Sequence, residues 1–153
     1  MKNLLYFFVF VGNCTWGFLQ TLNGLISFIR YINKPRYWYK GSIVTTNATP
    51  NRHKNNADYD FCYNSGAFIF ISKNIKKEDF CHSNVLKHEY GHCLQNLLLG
   101  PFTLLVITIP NRIWWKHFRQ WRTKRNISYL WFYTESWANK WGKVDKKDYN
   151  VIC

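Results

Sequence analysis

The chain has 153 residues, a formal net charge of +13, and Phe, Trp or Tyr at 20% of its positions. The length is that of one domain and leaves little room for an enzyme built of two full lobes. The charge and the aromatic content together indicate an anionic partner, either membrane headgroups or a nucleic acid. An odd number of cysteines, five, at scattered positions argues against a disulfide framework.

The first element is a run without charged residues, from position 3 to position 29. As one helix it would be about 40 Å long, enough to cross a bilayer with some tilt. Small and polar residues recur in it every three to four positions, a pattern suited to packing against another helix. The alternatives are a buried helix of a soluble protein and a cleaved signal peptide, for which a good cleavage site is missing. We predict a membrane anchor helix over residues 1–30 and a single domain over 31–153. The stripe residues are Asn13, Gly17, Gln20, Gly24 and Ser27.

Two short strands are predicted next, at residues 41–46 and 67–72, which are rich in β-branched and aromatic side chains. Residues 46–59 are polar and rich in Asn, which is typical of a loop. Residues 68–72 precede the helix described below, so they are a candidate edge strand for binding an extended peptide backbone. An ordinary core strand is the alternative.

The most specific pattern of the chain is His88-Glu89-Tyr90-Gly91-His92, which reads H-E-x-x-H. On a helix, positions i and i+4 share a face, so both His side chains can bind one metal ion. The Glu between them can act as general base on a metal-activated water. The alternative is a surface helix that carries two solvated His side chains.

A helix over residues 85–99 is predicted around this motif, with Ser83 or Asn84 as its N-cap and Gly100-Pro101 at its end. Gly91 costs the helix about 1 kcal/mol relative to Ala. Close approach of another backbone beside the metal would offset that cost. A second face of the helix is predicted to lie in the core, with Leu86, Tyr90, Cys93 or Leu94, and Leu97.

A second run without charge spans residues 93–111 and contains a glycine and two prolines. We therefore expect a re-entrant or surface-embedded segment packed on the first helix, not a continuous span. Basic clusters follow both uncharged runs. The positive-inside rule favours the same side of a membrane for both clusters, the cytosolic side. Residues 112–125 interleave four aromatic residues with these cations and predict a helix at the headgroups. A solvated basic helix with core aromatics is the alternative for residues 112–125. Together, the two patterns predict membrane-embedded or interfacial segments near residues 93–125.

Zinc needs a third protein ligand and one open position. The metzincin pattern is excluded because Leu98 occupies the position of its third His. Glu135, in a predicted helix over residues 128–141, is the better candidate, and His117 is the alternative. Asn139 lies one turn after Glu135 and could hydrogen-bond the outer ring nitrogen of a ligating His.

The arrangement resembles the gluzincins, zinc peptidases with two His ligands on one helix and a Glu ligand on a later helix. In those enzymes an Asp commonly follows the Glu ligand by one turn, where this chain has the neutral Asn139. The chain is also similar to small uncharacterised bacterial proteins that share H-E-Y-G-H, L-G-P and Y-T-E-x-W-A-(N/D). Residues 88–92, 99–101 and 133–139 match these motifs, so the resemblance covers about the second half of the chain. It implies a membrane-associated, metallopeptidase-like protein and names no substrate.

The sequence thus predicts an α+β, mainly helical zincin-like domain with an N-terminal membrane helix and a few short strands. The expected activity is that of a membrane-associated, zinc-dependent peptidase acting on a peptide or a membrane-protein segment. Its expected place is an anionic lipid membrane, the bacterial inner membrane, with the catalytic part on the cytosolic face. The metal ligands would be His88, His92 and Glu135, the base Glu89, and the donor to the anionic intermediate Tyr129, Tyr133 or His117.

Three other classes stay open at this point. A non-catalytic zinc site would be closed by a fourth protein ligand, such as His117 or a Cys. A cationic membrane-interaction protein with a vestigial motif would keep its membrane binding without the motif His residues. A nucleic-acid binder, which we do not expect, would lose affinity steeply with salt.

Overall fold

The structure, a computed structural model, describes residues 2–48, 62–73, 75 and 80–145. Within these ranges the fold is α+β and mainly helical, with a small mixed sheet of four strands, as predicted. The helices are α1 (Lys2–Thr15), α2 (Phe18–Arg30), α3 (Phe80–Leu99), α4 (Ile109–Lys116), α5 (Arg119–Lys124) and α6 (Tyr133–Gly142). The strands are β1 (Arg36–Tyr39), β2 (Ser42–Thr45), β3 (Tyr63–Ser65) and β4 (Phe68–Phe70).

The described strands lie in the order β1-β2-β4-β3, with β2 and β4 parallel and both outer pairs antiparallel. Lys40 and Gly41 join β1 to β2 with φ values of 46° and 89°, the left-handed conformation that a two-residue hairpin turn favours. The two predicted strands are confirmed as β2 and β4, within shorter bounds. The candidate edge strand at residues 68–72 is wrong, because β4 lies inside the sheet and β3 lies at its edge. Most of the predicted loop at 46–59 lies outside the described residues.

The two inner strands are largely buried on both faces: β4 is apolar at all three positions, and β2 carries the apolar Ile43 and Val44 between the buried polar residues Ser42 and Thr45. Val44, Ile69 and Ile71 pack with residues of α3. Phe68 and Phe70 belong to the opposite cluster, which includes aromatic residues from the end of α2. The predicted core face of the motif helix is confirmed, since Leu86, Tyr90 and Cys93 are buried in the first cluster. Helix α3 begins before the predicted N-cap residues, at Phe80.

The N-terminal run is two helices and not one. Helices α1 and α2 meet at Trp16-Gly17 with a bend of 94°, so the prediction of one continuous helix is wrong. The predicted packing stripe is confirmed, since Asn13, Gln20 and Gly24 are buried. No single described helix has both the length and the apolar composition of a membrane span. By length and composition alone, two bent pairs pass that test: α1 with α2, and α3 with the segment that ends in α4.

The second uncharged segment continues from α3 through a 3-10 turn (Gly100–Phe102) and a π-helix (Leu104–Thr108) into α4. This segment bends by 116° and packs on the N-terminal helices, as predicted. Trp16 Nε1 donates to the carbonyl oxygen of Leu98 at 3.4 Å, and Gln20 Nε2 donates to Thr108 Oγ1 at 2.5 Å. Membrane embedding of this segment stays a prediction.

The last two predicted helices are each interrupted. The basic helix over residues 112–125 is divided between α4 and α5 at His117 and Phe118. The helix predicted over 128–141 starts later, because Phe132 has an extended ψ of 145° that separates a 3-10 turn (Tyr129–Trp131) from α6. Helix α6 ends at Gly142, where it was predicted to end, with Lys143 in the left-handed conformation.

Candidate metal centre

Helices α3 and α6 are in backbone contact, and two glycines permit it. A Cβ on Gly91 would lie 2.0 Å from the carbonyl oxygen of Ala138, and one on Gly142 would lie 1.9 Å from the carbonyl oxygen of Lys87. Both distances are far below van der Waals contact, so neither position accepts a side chain without moving a helix. The close approach expected at Gly91 is therefore confirmed, and it holds α6 directly against the H-E-x-x-H turn.

The three predicted ligand residues meet in this contact. His88 Nε2 lies 3.0 Å from Glu135 Oε2, and His92 Nε2 lies 3.5 Å from the same oxygen. Their ligand atoms all lie within 4.8 Å of one another, and the group is largely shielded from solvent. Two imidazole nitrogens and one carboxylate oxygen that converge in this way could hold a metal ion.

The outer nitrogens of both His rings bind amide oxygens. His88 Nδ1 donates to Asn139 Oδ1 at 2.7 Å, and His92 Nδ1 donates to Gln95 Oε1 at 2.8 Å. An amide oxygen is an acceptor, so each Nδ1 carries the hydrogen and each Nε2 faces the ligand position. The predicted partner Asn139 is confirmed. Gln95 was not predicted as a partner, and its own Nε2 is fixed by a bond to the carbonyl oxygen of Thr134 at 2.8 Å.

Two donors fix the second oxygen of Glu135. Asn111 Nδ2 and the Tyr129 hydroxyl, the latter at 3.1 Å, both donate to Oε1. Thr134 Oγ1 in turn donates to Asn111 Oδ1 at 2.5 Å. With Oε1 engaged, Oε2 is the oxygen that faces the two His rings. Sequence reasoning missed Asn111, although an amide inside a mostly apolar run was a signal that could have identified it.

Trp114 packs α4, which carries Asn111, against the 3-10 turn that carries Tyr129. Its Nε1 donates to the carbonyl oxygen of Tyr129 at 3.1 Å, and its ring stacks on Phe132 with centroids 4.8 Å apart. Trp114 belongs to α4, as does Asn111, so one indole fixes α4 against the turn that carries Tyr129. The geometry of Glu135 therefore depends on α4 as well as on α6.

Glu89 is buried beside the cluster and is not one of the three ligand residues. The backbone of Asn64 in β3 hydrogen-bonds its carboxylate. Its Oε2 has no hydrogen-bond partner among the described residues. Burial raises the pKa of Glu89, against the attraction of His88 and His92. An unpaired, buried carboxylate oxygen costs stability, so its presence at this position needs a functional explanation.

His92 and Glu135 each favour the charged form of the other. Burial alone would lower the pKa of His92, but the charge and hydrogen bond of Glu135 raise it to about 9. Burial likewise opposes ionisation of Glu135, yet His92 and His88 hold the pKa of this carboxyl well below its usual range. A metal ion that binds His92 would therefore have to displace a proton from it.

Of the three predicted donors to an anionic intermediate, only Tyr129 reaches the site within the described residues. The Tyr133 hydroxyl instead donates to the carbonyl oxygen of Val106 at 2.5 Å. His117 is exposed at the end of α4 and does not belong to the metal-ligand group. Neither Cys62 nor Cys93 belongs to it, so the described side chains supply three ligands and no fourth.

The comparisons with known proteins identify no relative. No protein-family model matches the chain, and no match was found among curated proteins or among solved structures. The feature of the chain that points to a function is consequently the geometry of His88, Glu89, His92 and Glu135.

Proposed function

We propose that this protein is a zinc-dependent peptidase, with His88, His92 and Glu135 as metal ligands and Glu89 as general base. The observation that carries this proposal is the unpaired, buried oxygen of Glu89 beside a three-ligand cluster. A structural zinc site is normally closed by four protein ligands and needs no extra carboxylate, whereas a catalytic site keeps one position open. Three ligands with an adjacent base match the catalytic case.

Zinc is the metal that this set of ligands favours. Two neutral imidazoles suit Zn²⁺ better than Ca²⁺ or Mg²⁺, which prefer oxygen ligands. When bound, zinc would polarise a substrate carbonyl and lower the pKa of a water molecule to about 7. The Nδ1 hydrogen bonds to Asn139 and Gln95 support this assignment, since they orient both rings before any metal arrives.

Glu89 would transfer a proton from the attacking water to the departing amine. Its unpaired oxygen accepts a proton from the attacking water and then delivers it to the nitrogen of the departing amine. General bases work best when their pKa is close to the operating pH, and burial shifts the pKa of Glu89 in that direction. Tyr129 has a different role, because its hydroxyl already donates to Glu135 and so orients the ligand.

An extended peptide or membrane-protein segment is the substrate that fits beside Glu89. Strand β3 lies at the edge of the described sheet, and the backbone of its Asn64 hydrogen-bonds the Glu89 carboxylate. A peptide that pairs with the outer side of β3 would have its backbone next to the base. Strand β3 would thus be the edge strand that binds the substrate backbone, a role for which the sequence made residues 68–72 the candidate.

A cleavage assay on random peptide libraries, read by mass spectrometry, tests the proposal with Glu89→Gln beside the wild type. We expect Glu89→Gln to retain its zinc and to lose about 10²- to 10⁴-fold in rate, because proton transfer is removed while the ligands are intact. Asp145→Asn is the matched control, since it makes the same change of charge at an exposed carboxylate.

Two outcomes would contradict the proposal. Cleavage by Glu89→Gln at the wild-type rate would exclude Glu89 as the base. A zinc-loaded wild type that cleaves nothing in the libraries, also when they are presented on vesicles, would indicate a non-catalytic zinc protein.

A further inference from the structure

Helices α1 and α2 have an inverted distribution of polar and apolar side chains. Their buried positions include Asn13, Gln20 and Gly24, with Asn13 at 0% exposure. Nine large apolar side chains of the same run, one of them in the bend, are between 49% and 61% exposed. A helix on the surface of a soluble protein shows the opposite arrangement. These exposed residues are Leu4, Leu5, Phe7, Phe8, Trp16, Phe18, Leu22, Ile26 and Ile29.

The segment over residues 98–115 repeats the inversion. Thr103 and Gly100 are buried, whereas Leu105 is 64% exposed and Phe102 is 58% exposed. Asn111, the polar residue of α4 that binds Glu135, points inward, while Ile109 and Ile113 on the same helix are exposed. The apolar face again points away from the protein.

The two apolar faces adjoin each other where both helix pairs bend. A Cβ on Gly100 would lie 2.3 Å from the ring of Trp16, and Trp16 also donates to the carbonyl oxygen of Leu98. Gln20 and Thr108 form a second link between the segments. We call the exposed apolar side chains of α1, α2 and residues 98–115, two segments that are in contact at Trp16 and Gly100, the apolar surface.

Cations border the apolar surface, and carboxylates are nearly missing from the described exterior. Among the described residues the acidic side chains are Glu89 and Glu135, both buried in the metal centre, and the exposed Asp145. Basic residues lie at the end of each apolar segment and after it: Arg30, Lys34, Arg36 and Lys40 for α2, and Arg112, Lys116, Arg119, Lys124 and Arg125 for the second, whereas Arg122 is buried. A second copy of the chain would bring like charges together, whereas anionic headgroups complement them.

We propose that the apolar surface is immersed in one leaflet of an anionic lipid bilayer and does not cross it. Helices α1 and α2, with 14 and 13 residues, are each about 20 Å long, too short for the roughly 30 Å hydrocarbon core. The bends of 94° and 116° prevent either pair from continuing as one straight span, which fits a re-entrant arrangement. The basic residues then lie at the headgroups of that one side.

This placement brings the metal centre to the membrane surface. Asn111 contacts Glu135 from α4, whose opposite face belongs to the apolar surface. The metal centre would thus lie about one helix diameter, roughly 10 Å, from the hydrocarbon. This part of the inference rests on the proposed function, and it narrows the substrate to peptide segments held at the headgroup level.

Spin labels on vesicle-bound protein measure the immersion directly. Single cysteines at Leu5, Ile26 and Leu105, in a background whose native cysteines are replaced by Ala, would carry the nitroxides. The vesicles contain phosphatidylglycerol and phosphatidylcholine. We expect all three labels to be accessible to oxygen and shielded from a water-soluble nickel chelate, at depths within the leaflet to which the protein was added. Lys140→Cys, exposed on α6, is the matched control and should be accessible to nickel.

Three results would overturn the proposal. Nickel access at the three positions equal to that at Lys140 would show that no immersion occurs. Depths that pass the bilayer centre along α1 or α2 would show a spanning arrangement. Spin–spin broadening with no dependence on lipid would show that a second copy covers the surface.

Flotation of unlabelled protein separates this inference from the proposed activity. His88→Ala should float with the same vesicles as the wild type, because it alters the metal centre alone. Leu105→Glu should bind at least about tenfold more weakly, because it places a charge in the immersed surface. Equal binding by Leu105→Glu and the wild type would contradict the immersion, whatever the activity of either protein.

Discussion

The metal centre and the contact between the N-terminal helices and α3 both bury polar side chains, but they do so differently. In the metal centre, ionisable groups from α3 and α6 converge within 4.8 Å, and one carboxylate oxygen of Glu89 is left unpaired. In the N-terminal contact the polar groups are neutral: Asn96 Nδ2 donates to Asn13 Oδ1 at 2.7 Å, and Asn96 Oδ1 has no hydrogen-bond partner among the described residues. An unpaired, buried oxygen thus occurs in both regions, and the convergence of ionisable groups beside Glu89 is what distinguishes the metal centre from a helix contact.

The largest expected effect comes from separating α3 and α6. Gly91→Ala places a Cβ against the carbonyl oxygen of Ala138, a backbone atom that cannot rotate away. We expect a loss of at least about 3 kcal/mol in the free energy of unfolding, together with weaker metal binding, measured by denaturant titration in detergent.

Gly12→Ala is the matched control for that substitution. Its Cβ would meet Cδ1 of Leu97, the end of a flexible side chain, and Ala favours the helix that contains it. A stability loss in Gly12→Ala as large as that in Gly91→Ala would refute the claim that backbone contact makes the metal centre special.

The next effect concerns the ligand orientation in the metal centre. Asn139→Ala removes the acceptor of His88 Nδ1, so we expect zinc affinity to fall about 10- to 100-fold, measured by competition with a chelator. Asn139→Asp should keep or increase the affinity, because a carboxylate makes the imidazole more basic. The adjacent, exposed Lys140→Ala serves as control, and unchanged affinity in Asn139→Ala would contradict the assigned role.

A comparable substitution in the N-terminal contact should affect stability and leave zinc binding unchanged. Asn13→Ala removes one of the two acceptors of Asn96 Nδ2, which keeps the Gly17 carbonyl oxygen at 3.2 Å, and it removes the donor to the Val9 carbonyl oxygen, so it should cost about 1–3 kcal/mol. The exposed Leu5→Ala should cost little in detergent. Circular dichroism melts together with chelator competition check both statements, and a change of zinc affinity in Asn13→Ala would mean that the two regions are coupled.

The smallest effect is a pH dependence of the metal-free protein. The pKa of His92 is raised from 6.5 to about 9 by Glu135, so its contribution to stability is complete below about 6.5 and disappears as the pH rises through 9. The lowered pKa of Glu135 contributes above its usual value of 4.5 and is lost as the pH falls further. Thermal melts across this range should show a decline on the alkaline side, which His92→Gln should abolish.

The sequence predicted those parts of the metal centre that depend on spacing along a helix. His88 and His92 are one turn apart, as are Glu135 and Asn139, so each pair is on one face whatever surrounds it. Asn111 and the ligand-holding role of Tyr129 depend on how α4 and the Tyr129 turn pack, which Trp114 determines through tertiary contacts. No local pattern encodes that packing.

The errors in the fold prediction have the same origin. The bend between α1 and α2 follows from contacts of Trp16 with Gly100 and of Gly17 with Asn96, whereas the local sequence contains no proline and reads as one helix. Strands β1 and β3 contain no β-branched residue, unlike β2 and β4, so their sequences carry no comparable strand signal, and pairing with β2 and β4 stabilises them.

The most direct test of the metal centre is the zinc content of detergent-purified protein, measured for the wild type, His88→Ala and Glu135→Ala. We expect one zinc per chain in the wild type and little or none in either variant, because each removes one of three ligands. A folded wild type without zinc would contradict the metal centre itself. Zinc retained by Glu135→Ala but lost from His88→Ala would show that a residue other than Glu135 is the third ligand.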